Sequence, residues 1–390
     1  MTTELFTTPT LTMHEHIGFE LGWDYAHYHL VPPAPYAQEP SALRNGLLAG
    51  QAAFGSRTLQ ATRHVRKWLQ LRLHAWLRGR SVELFGVTPH YLQQIDASHC
   101  PITRVPLSIS TLESSDGSVD RVRNDAGYAA GNLALMSTKA NHAKAAYGMH
   151  DAMRFVGQIE SSNPAAAEGA TASKAGTSGL GAASTGLGGL TAAQWGRVAI
   201  LCSFVEPLPH DEACELPLLV LPPNRLRLFN PVQALQAFVS LQLLKAGWSH
   251  RVSRLEDLLP GKPARRAFQA FFHALLPRVL EAGRSSTREH ARWAIEDAWR
   301  NPLVLSLWTR FAKLLTAQQC EAVVAKASKR KLGTLCIEHT SDEQATEGWN
   351  LASRGYVPHA VLMKRRPSGG GARTFETEAE TVPAHASLPL

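Results

Sequence analysis

The sequence predicts an α+β protein: a small core of two strands and a helix (ββα), flanking helices, a flexible linker, and a mainly α-helical C-terminal domain. Three observations predict this class. Short strand-like runs surround a polar turn between residues 118 and 136, small residues dominate from 160 to 194, and apolar stripes at helical spacing follow residue 195. At 390 residues the chain is long enough for more than one domain, each with its own core.

The N-terminal region, residues 1 to 86, is predicted to contain a basic amphipathic helix over residues 56 to 80. The face opposite its apolar stripe carries four basic side chains: Arg63, Lys67, His74 and Arg78. A solvated helix face explains this pattern, and so does a face that binds phosphates. Because no Asp or Glu occurs between Glu39 and Glu83, whereas a helix that is merely soluble usually mixes both signs, we favour phosphate binding.

Two segments are too poor in bulky apolar residues to fold by themselves, and we predict a flexible linker over 160 to 194 and a disordered tail over 367 to 390. The domain between them, residues 195 to 366, carries three helical stripes, over 231 to 246, 263 to 282 and 286 to 315. Two short apolar runs in it read as possible strands, 216 to 221 and 226 to 229. No chemical motif assigns this domain a role, and a protein partner is one interpretation.

The composition and charge of the chain narrow the range of possible functions. A net charge of +8 and a pI near 9.4 favour a polyanionic partner. Five widely spaced cysteines without a C-x-x-C pair predict reduced thiols and no zinc knuckle. There is no run of about 18 apolar residues and no basic start before an apolar block, so we expect neither a membrane span nor a secretion signal, and we expect a cytoplasmic protein.

The passage from His99 to Lys144 combines several residue types in a fixed order. The order runs Cys100-Pro101, Pro106-Leu107, Ser118-Val119-Asp120-Arg121, Gly127-Tyr128, Gly131-Asn132 and Ala140-Asn141, followed by Lys144. In order and spacing this resembles the HNH endonucleases, especially a phage-like branch, almost throughout. The resemblance covers residues from about 87 to 159 and implies a ββα-metal domain there.

The resemblance implies a metal site at Asp120 and Asn141. A carboxylate that leaves a strand and an amide on the facing helix would supply oxygens to one hard cation, Mg²⁺ first and Mn²⁺ as an alternative. Such an ion stabilises charge on a scissile phosphate. The alternative is structural: Asp120 hydrogen-bonds the turn and Asn141 braces the helix.

Arg121 stands where active members of the wider family carry the histidine that activates water. A guanidinium stays protonated at physiological pH and suits phosphate binding, so it is not a base. Three histidines are close enough in sequence to replace it, His99, His142 and His150, and ordinary packing or surface roles compete for each. We take His142 forward because it follows Asn141, although it points about 100° away from it on a helix.

Two further residues complete the predicted site. Asn132 matches the middle Asn of the family pattern, which orients a catalytic group or braces the loop. Lys144 lies one helical turn after Asn141 and is placed for a phosphate contact, with a solvated lysine as the alternative.

The leading hypothesis is a metal-dependent DNA endonuclease or nickase of the HNH type, of phage or bacterial origin by resemblance. Arg121 motivates the main rival, a nucleic-acid-binding protein that keeps the fold with weak or no cleavage. A third hypothesis makes the helical C-terminal domain a partner-binding module. DNA is the expected partner, RNA is not excluded, and no membrane is expected.

Overall fold

The computed structural model is mostly helical, with one small antiparallel sheet in the part of the chain that it describes, so the α+β class is confirmed. It describes residues 12 to 162, 187 to 282, 284, 287 to 332 and 346 to 357. The predicted tail and most of the predicted linker lie outside the described residues.

The chain divides into two compact units. The first unit comprises Met1–Gln94, Asp125–Ala129 and Gly348–Leu390, and the second comprises Ile95–Asn124 and Ala130–Glu347. Each unit is therefore assembled from separate stretches of chain. The domain boundaries predicted from the sequence remain predictions.

The first unit has a helical core. Its helices are α1 (Met13–His27), α2 (Ala34–Gln38), α3 (Ala42–Phe54), α4 (Arg63–Leu77) and α5 (Pro89–Gln94). Helices α1 and α3 touch backbone to backbone: a Cβ at Gly22 would lie 1.9 Å from the Leu43 carbonyl oxygen, and one at Gly46 would lie 1.9 Å from that of Phe19. The two glycines therefore permit this crossing, because any side chain would push the helices apart.

Helix α4 is shorter at its start than predicted. The apolar face is confirmed, since Val65, Leu69 and Leu73 are buried in the core of the first unit. Residues 56 to 62, however, are not helical, because Gly55 ends α3 with φ at 55° and the Thr62 hydroxyl caps α4 by accepting from the Val65 amide at 3.2 Å.

Residues 348 to 357 belong to the first unit. The Ser81 amide donates to the Gly355 carbonyl at 2.9 Å, and the Gly127 amide donates to the Trp349 carbonyl at 2.8 Å. Trp349 is fully buried. Gly355 has φ at 72°, and a Cβ there would lie 2.4 Å from the Ala126 backbone, so the close contact requires glycine. A late part of the chain thus stabilises loops that lie far earlier in the sequence.

In the second unit, strands β1 (Gly117–Arg121) and β2 (Leu133–Ser137) form an antiparallel pair, with Asp120 opposite Ala134. Helix α6 (Thr138–Lys144) begins directly after β2, and α7 (Met149–Ser162) follows. Two strands and a helix therefore follow one another directly along this part of the chain.

The remaining helices of the second unit surround an aromatic core that includes Phe271, Trp299, Trp308 and Phe311, all fully buried. They are α8 (Ala192–Ser203), α9 (His210–Glu215), α10 (Pro231–Leu243), α11 (Trp248–Glu256), α12 (Gly261–Ala282), α13 (Arg288–Ala298), α14 (Pro302–Ala312) and α15 (Ala317–Lys329). The three predicted helical stripes are confirmed, with a break at Pro302. No helix in the described ranges is long and apolar enough to cross a membrane.

Two sequence predictions about this unit need correction. The apolar runs 216 to 221 and 226 to 229 are largely buried but form no strands, and the Leu221 amide donates to Glu296 Oε1 at 2.9 Å instead of to a sheet partner. Prolines in and beside the first run remove backbone donors that a sheet needs. Both ends of the predicted linker are also helical in the described residues, because α7 runs to Ser162 and a capping box at Thr191 starts α8.

Candidate functional site

Strand β1 and helix α6 face each other through four side chains, which we call the β1–α6 seam: Ser118, Asp120, Asn141 and Lys144. Ser118 and Asp120 are two residues apart on a strand and therefore point to the same side. Asn141 and Lys144 are three residues apart on α6 and share one face of that helix. Asn141 Nδ2 donates to Ser118 Oγ at 2.7 Å, and Lys144 Nζ lies 2.9 Å from Asp120 Oδ2.

The Asp120–Lys144 pair is buried on both sides, with 6% of Asp120 and 0% of Lys144 exposed. The two atoms are close enough for an ion pair, but Oδ2 receives no well-directed hydrogen bond within the described residues. Burial raises the pKa of the Asp120 carboxyl above its ordinary value, and the Lys144 ammonium limits that rise. Asp120 is thus a buried acid whose charge is compensated by the chain itself.

Lys144 has further partners inside the protein. Its ammonium donates to the Arg121 carbonyl at 3.0 Å. With the Asn124 amide oriented so that both of its ends are satisfied, the Asn124 side-chain oxygen accepts from the same ammonium at 3.1 Å. Lys144 was predicted to contact phosphate, and it would have to leave all three oxygens before it could do so.

The seam fits a hard cation in donor type. Asp120 Oδ2 is a buried oxygen without a directed donor, and no donor from the described residues reaches Asn141 Oδ1. The present contacts of these side chains compete with a cation. Lys144 already neutralises Asp120, and Asn141 is hydrogen-bonded to Ser118. Within the described residues no group of three or more His, Cys, Asp or Glu side chains could hold a metal ion. Metal binding at Asp120 therefore requires Lys144 to move away.

Arg121 and Asn132 organise the ends of the hairpin loop. Arg121 Nη1 donates to the Asn124 carbonyl at 3.1 Å. Asn132 is fully buried, and its side chain accepts from the Arg123 amide at 2.8 Å and donates to the Arg123 carbonyl at 3.0 Å. Of the two predicted roles for Asn132, these contacts correspond to bracing of the loop.

The three candidate bases have different surroundings. His142 is exposed on α6. His99 is half-buried, with Nδ1 3.1 Å from Ser98 Oγ and its ring edge-to-face with Trp293. His150 is exposed, and its Nε2 lies 3.9 Å from Glu212 Oε1. Because its imidazole is in solvent on α6, the helix that carries Asn141, His142 remains the candidate base.

The predicted basic face of α4 is only partly exposed. Arg63 and Arg78 are exposed, whereas Lys67 and His74 are half-buried. Burial, together with the nearby charge of Arg78, lowers the pKa of His74 below its ordinary value of 6.5, so this imidazole is mostly neutral at pH 7. His74 therefore contributes little charge to a phosphate-binding face.

Arg72 is a charged residue of α4 that the sequence interpretation missed. It is 3% exposed, forms an ion pair with Asp24 of α1, and lies over the Trp68 ring at 4.3 Å from its centroid. Its position within the apolar stripe, between Leu69 and Trp76, was the available signal. An arginine in such a stripe is expected to find a buried partner.

A second missed set of charges centres on Glu296 of α13, which is 2% exposed. Arg104, from the loop before β1, donates to Glu296 Oε2 at 3.0 Å and to both Asp297 oxygens at 2.7 and 2.9 Å. Arg292 Nε and the Leu221 amide donate to Glu296 Oε1 at 3.1 and 2.9 Å. These contacts join the loop before β1 to the helices that follow the linker. No sequence pattern indicates them.

Four cysteines are free and buried, as expected from their spacing: Cys100, Cys202, Cys214 and Cys320. Cys336 lies outside the described residues. Burial raises the pKa of the Cys202 thiol to about 12, which makes it unreactive. Cys100 accepts from Ser137 Oγ at 3.3 Å and packs below the start of α6.

Comparisons of the chain with protein-family models, curated proteins and solved structures give no match. A functional assignment therefore depends on the residue pattern from Cys100 to Lys144 and on the geometry of the seam.

Proposed function

We propose that the chain is a metal-dependent DNA endonuclease or nickase of the HNH type, with Asp120 and Asn141 as metal ligands in a ββα-metal core. One observation carries the proposal: a β hairpin leads directly into a short helix, and Asp120 and Asn141 project from strand and helix into one seam. The residue order of the HNH pattern supports it independently.

Each side chain of the seam would have a separate role. Asp120 would hold a divalent cation, most readily Mg²⁺, through Oδ2, and Asn141 through Oδ1. When bound, such an ion stabilises charge on the scissile phosphate and the leaving oxygen. Lys144 would release Asp120 and keep its contacts with the Arg121 carbonyl and Asn124. Ser118 keeps the Asn141 amide oriented by accepting from Nδ2 at 2.7 Å.

Proton transfer is assigned to His142 and phosphate orientation to Arg121. The imidazole of His142 is exposed on α6, where it could act as a general base towards a water molecule. The guanidinium of Arg121 has the shape and the donors to bind a non-bridging phosphate oxygen. Asn132 would act indirectly, by bracing the loop at Arg123.

A second candidate function is nucleic-acid binding without cleavage. The buried Asp120–Lys144 pair favours it, because a lysine of the chain already supplies the charge that a metal ion would bring. Arg121 in place of a base favours it as well. In this case the exposed arginines of α4 would carry the affinity for phosphates.

Nicking of supercoiled plasmid tests the proposal. Purified protein is incubated with Mg²⁺, Mn²⁺ or EDTA, alongside Asp120→Ala and Asn141→Ala. Gln158→Ala, which removes an exposed amide from the neighbouring α7, is the matched control for Asn141→Ala. We expect metal-dependent nicking by the wild type and the control, and a loss of at least about a hundredfold in both seam variants.

Circular dichroism establishes that each variant is folded before its rate is compared. Absence of metal-dependent nicking by the wild type would exclude the endonuclease and leave the binding function. Nicking that survives both seam substitutions would show that another site cleaves the DNA.

A further inference from the structure

The second unit contains charged residues that the proposed nuclease site does not use. We call them the Arg197 cluster: Arg104, Arg197, Arg292, Glu296, Asp297 and Arg300. The four guanidinium groups come from the loop before β1, from α8, from α13 and from the residue pair that follows α13. Among the described residues, two carboxylates accompany them, those of Glu296 and Asp297.

Both carboxylates are occupied by arginines other than Arg197. Arg104 binds both oxygens of Asp297 and one of Glu296, and Arg292 binds the other oxygen of Glu296. Arg300 Nε lies 3.8 Å from Asp297 Oδ1. Within the described residues, no carboxylate remains to pair with Arg197.

Arg197 is 7% exposed and is the cluster's uncompensated charge. Its Nη1 donates to the Ile102 carbonyl at 2.7 Å, but its Nε is buried and has no hydrogen-bond partner in the described part of the chain. Arg104 Nε is buried without a partner as well. A buried guanidinium is stable only when hydrogen bonds and an opposite charge replace water around it.

The electrostatics of the cluster agree with this deficit. Burial lowers the pKa of Arg197 to about 10, and repulsion by Arg104 and Arg300 contributes more than attraction by Asp297 and Glu296. The side chain is still protonated at neutral pH. The surroundings of Arg197 are therefore short of negative charge.

We propose that the Arg197 cluster binds a phosphate group, which enters beside the half-exposed Arg300 and supplies the negative charge that Arg197 lacks. Planar guanidinium forks match the tetrahedral oxygens of phosphate and bind them in pairs. The group is either a free phosphate ion or a phosphodiester of a nucleic-acid backbone. Binding at this site does not depend on cleavage at the β1–α6 seam.

Thermal unfolding of the full-length protein tests the proposal without metal or DNA. The protein is melted in increasing inorganic phosphate and in chloride of equal ionic strength, with Arg300→Gln as the test variant and Arg310→Gln as the control. Both positions carry exposed arginines, on neighbouring parts of the chain. We expect phosphate to raise the Tm of wild type and control by about 2 °C at saturation relative to chloride, and not to raise that of Arg300→Gln.

Calorimetric titration with inorganic phosphate provides the second measurement. It should give one site per chain for the wild type and at least tenfold weaker binding for Arg300→Gln. Equal responses of wild type and Arg300→Gln, or no effect of phosphate beyond that of chloride, would overturn the proposal.

A labelled DNA duplex distinguishes the two sources of phosphate. If the site takes a backbone phosphodiester, Arg300→Gln weakens duplex binding more than Arg310→Gln does, and inorganic phosphate competes better than chloride at equal ionic strength. If duplex binding is unchanged while phosphate binding is lost, the ligand is a free phosphate ion. Neither result depends on whether the protein nicks DNA.

Discussion

In the β1–α6 seam the charged side chains are buried and paired, whereas two of the four basic residues predicted for α4 are exposed. Lys144 and Asp120 compensate each other out of solvent, and Arg63 and Arg78 project into it. The sequence pattern treats all of these as candidate phosphate or metal contacts. The difference teaches that an exposed charged side chain can contribute to the binding of a ligand. A buried charged side chain must pair with an opposite charge, and it then contributes to the stability of the fold.

The largest effect is expected from Lys144→Met, which leaves Asp120 buried without its counter-charge. Removing one partner of a buried pair costs about 3 to 5 kcal/mol. Urea unfolding followed by circular dichroism measures it. Lys139→Met, an exposed lysine on the same helix, should change the free energy of unfolding by less than about 0.5 kcal/mol. Equal effects of the two substitutions would mean that the pair does not stabilise the seam.

Helix α4 carries both kinds of charged residue, because Arg72 is buried and paired with Asp24 whereas Arg63 is exposed. Asp24→Asn should lower the free energy of unfolding by about 2 to 3 kcal/mol, since it removes the negative charge beside a buried guanidinium. Glu20→Gln is the control, because Glu20 lies on α1 like Asp24. Glu20 pairs with His16 at the surface, where both side chains are more than a third exposed. This substitution should change the free energy of unfolding by about 0.5 kcal/mol or less. If Asp24→Asn leaves the free energy of unfolding unchanged, the charge of Arg72 does not depend on its ion pair with Asp24.

Neutralising Arg63, Lys67 and Arg78 together to Gln tests the exposed side of the comparison. We expect duplex affinity to fall and its dependence on salt to weaken, with the log–log slope reduced by about 1 for each phosphate contact removed. The free energy of unfolding should change by less than about 1 kcal/mol. Fluorescence anisotropy over a series of salt concentrations measures the slope, and an unchanged slope would remove α4 from the binding surface.

The smallest effect concerns pH and His74. Its pKa is lowered in the folded protein, so the unfolded chain binds the proton more readily. The stability that neutral His74 contributes is present above pH 6.5 and is lost as pH falls from 6.5 towards the lowered folded pKa. Subtracting the pH profile of His74→Gln from that of the wild type should therefore give a difference of less than about 1 kcal/mol that appears only below that pH. A stability difference that does not change with pH would contradict the lowered pKa of His74.

Much of the fold could be predicted because its signals are local. The β1–β2 hairpin follows from two short strand-like runs around a polar turn, and α4 follows from an apolar stripe at helical spacing. The start of α4 could not be placed from periodicity, because the helix begins at the Thr62 cap although the residues before it are also compatible with a helix.

Other features depend on residues that are distant in sequence and leave no periodic signal. Lys144 reaches Asp120 because the hairpin folds back, and Trp349 reaches Gly127 because a late segment packs on an early loop. The metal pair was predicted from the resemblance. The structure adds that Asp120 and Asn141 face one seam, each with its own partner. The deficit of negative charge around Arg197 becomes apparent only when separate elements are brought together.

The most direct test of the account separates cleavage from binding. At protein concentrations that saturate the plasmid, the nicking rate is measured for two variants. The first is Asn141→Ala, which removes the amide that faces β1 in the seam, and the second has Arg63, Lys67 and Arg78 changed to Gln. The account predicts that Asn141→Ala binds DNA like the wild type but nicks it at least about a hundredfold more slowly, and that the α4 variant nicks at nearly the wild-type rate once saturated. Wild-type nicking by Asn141→Ala would contradict it.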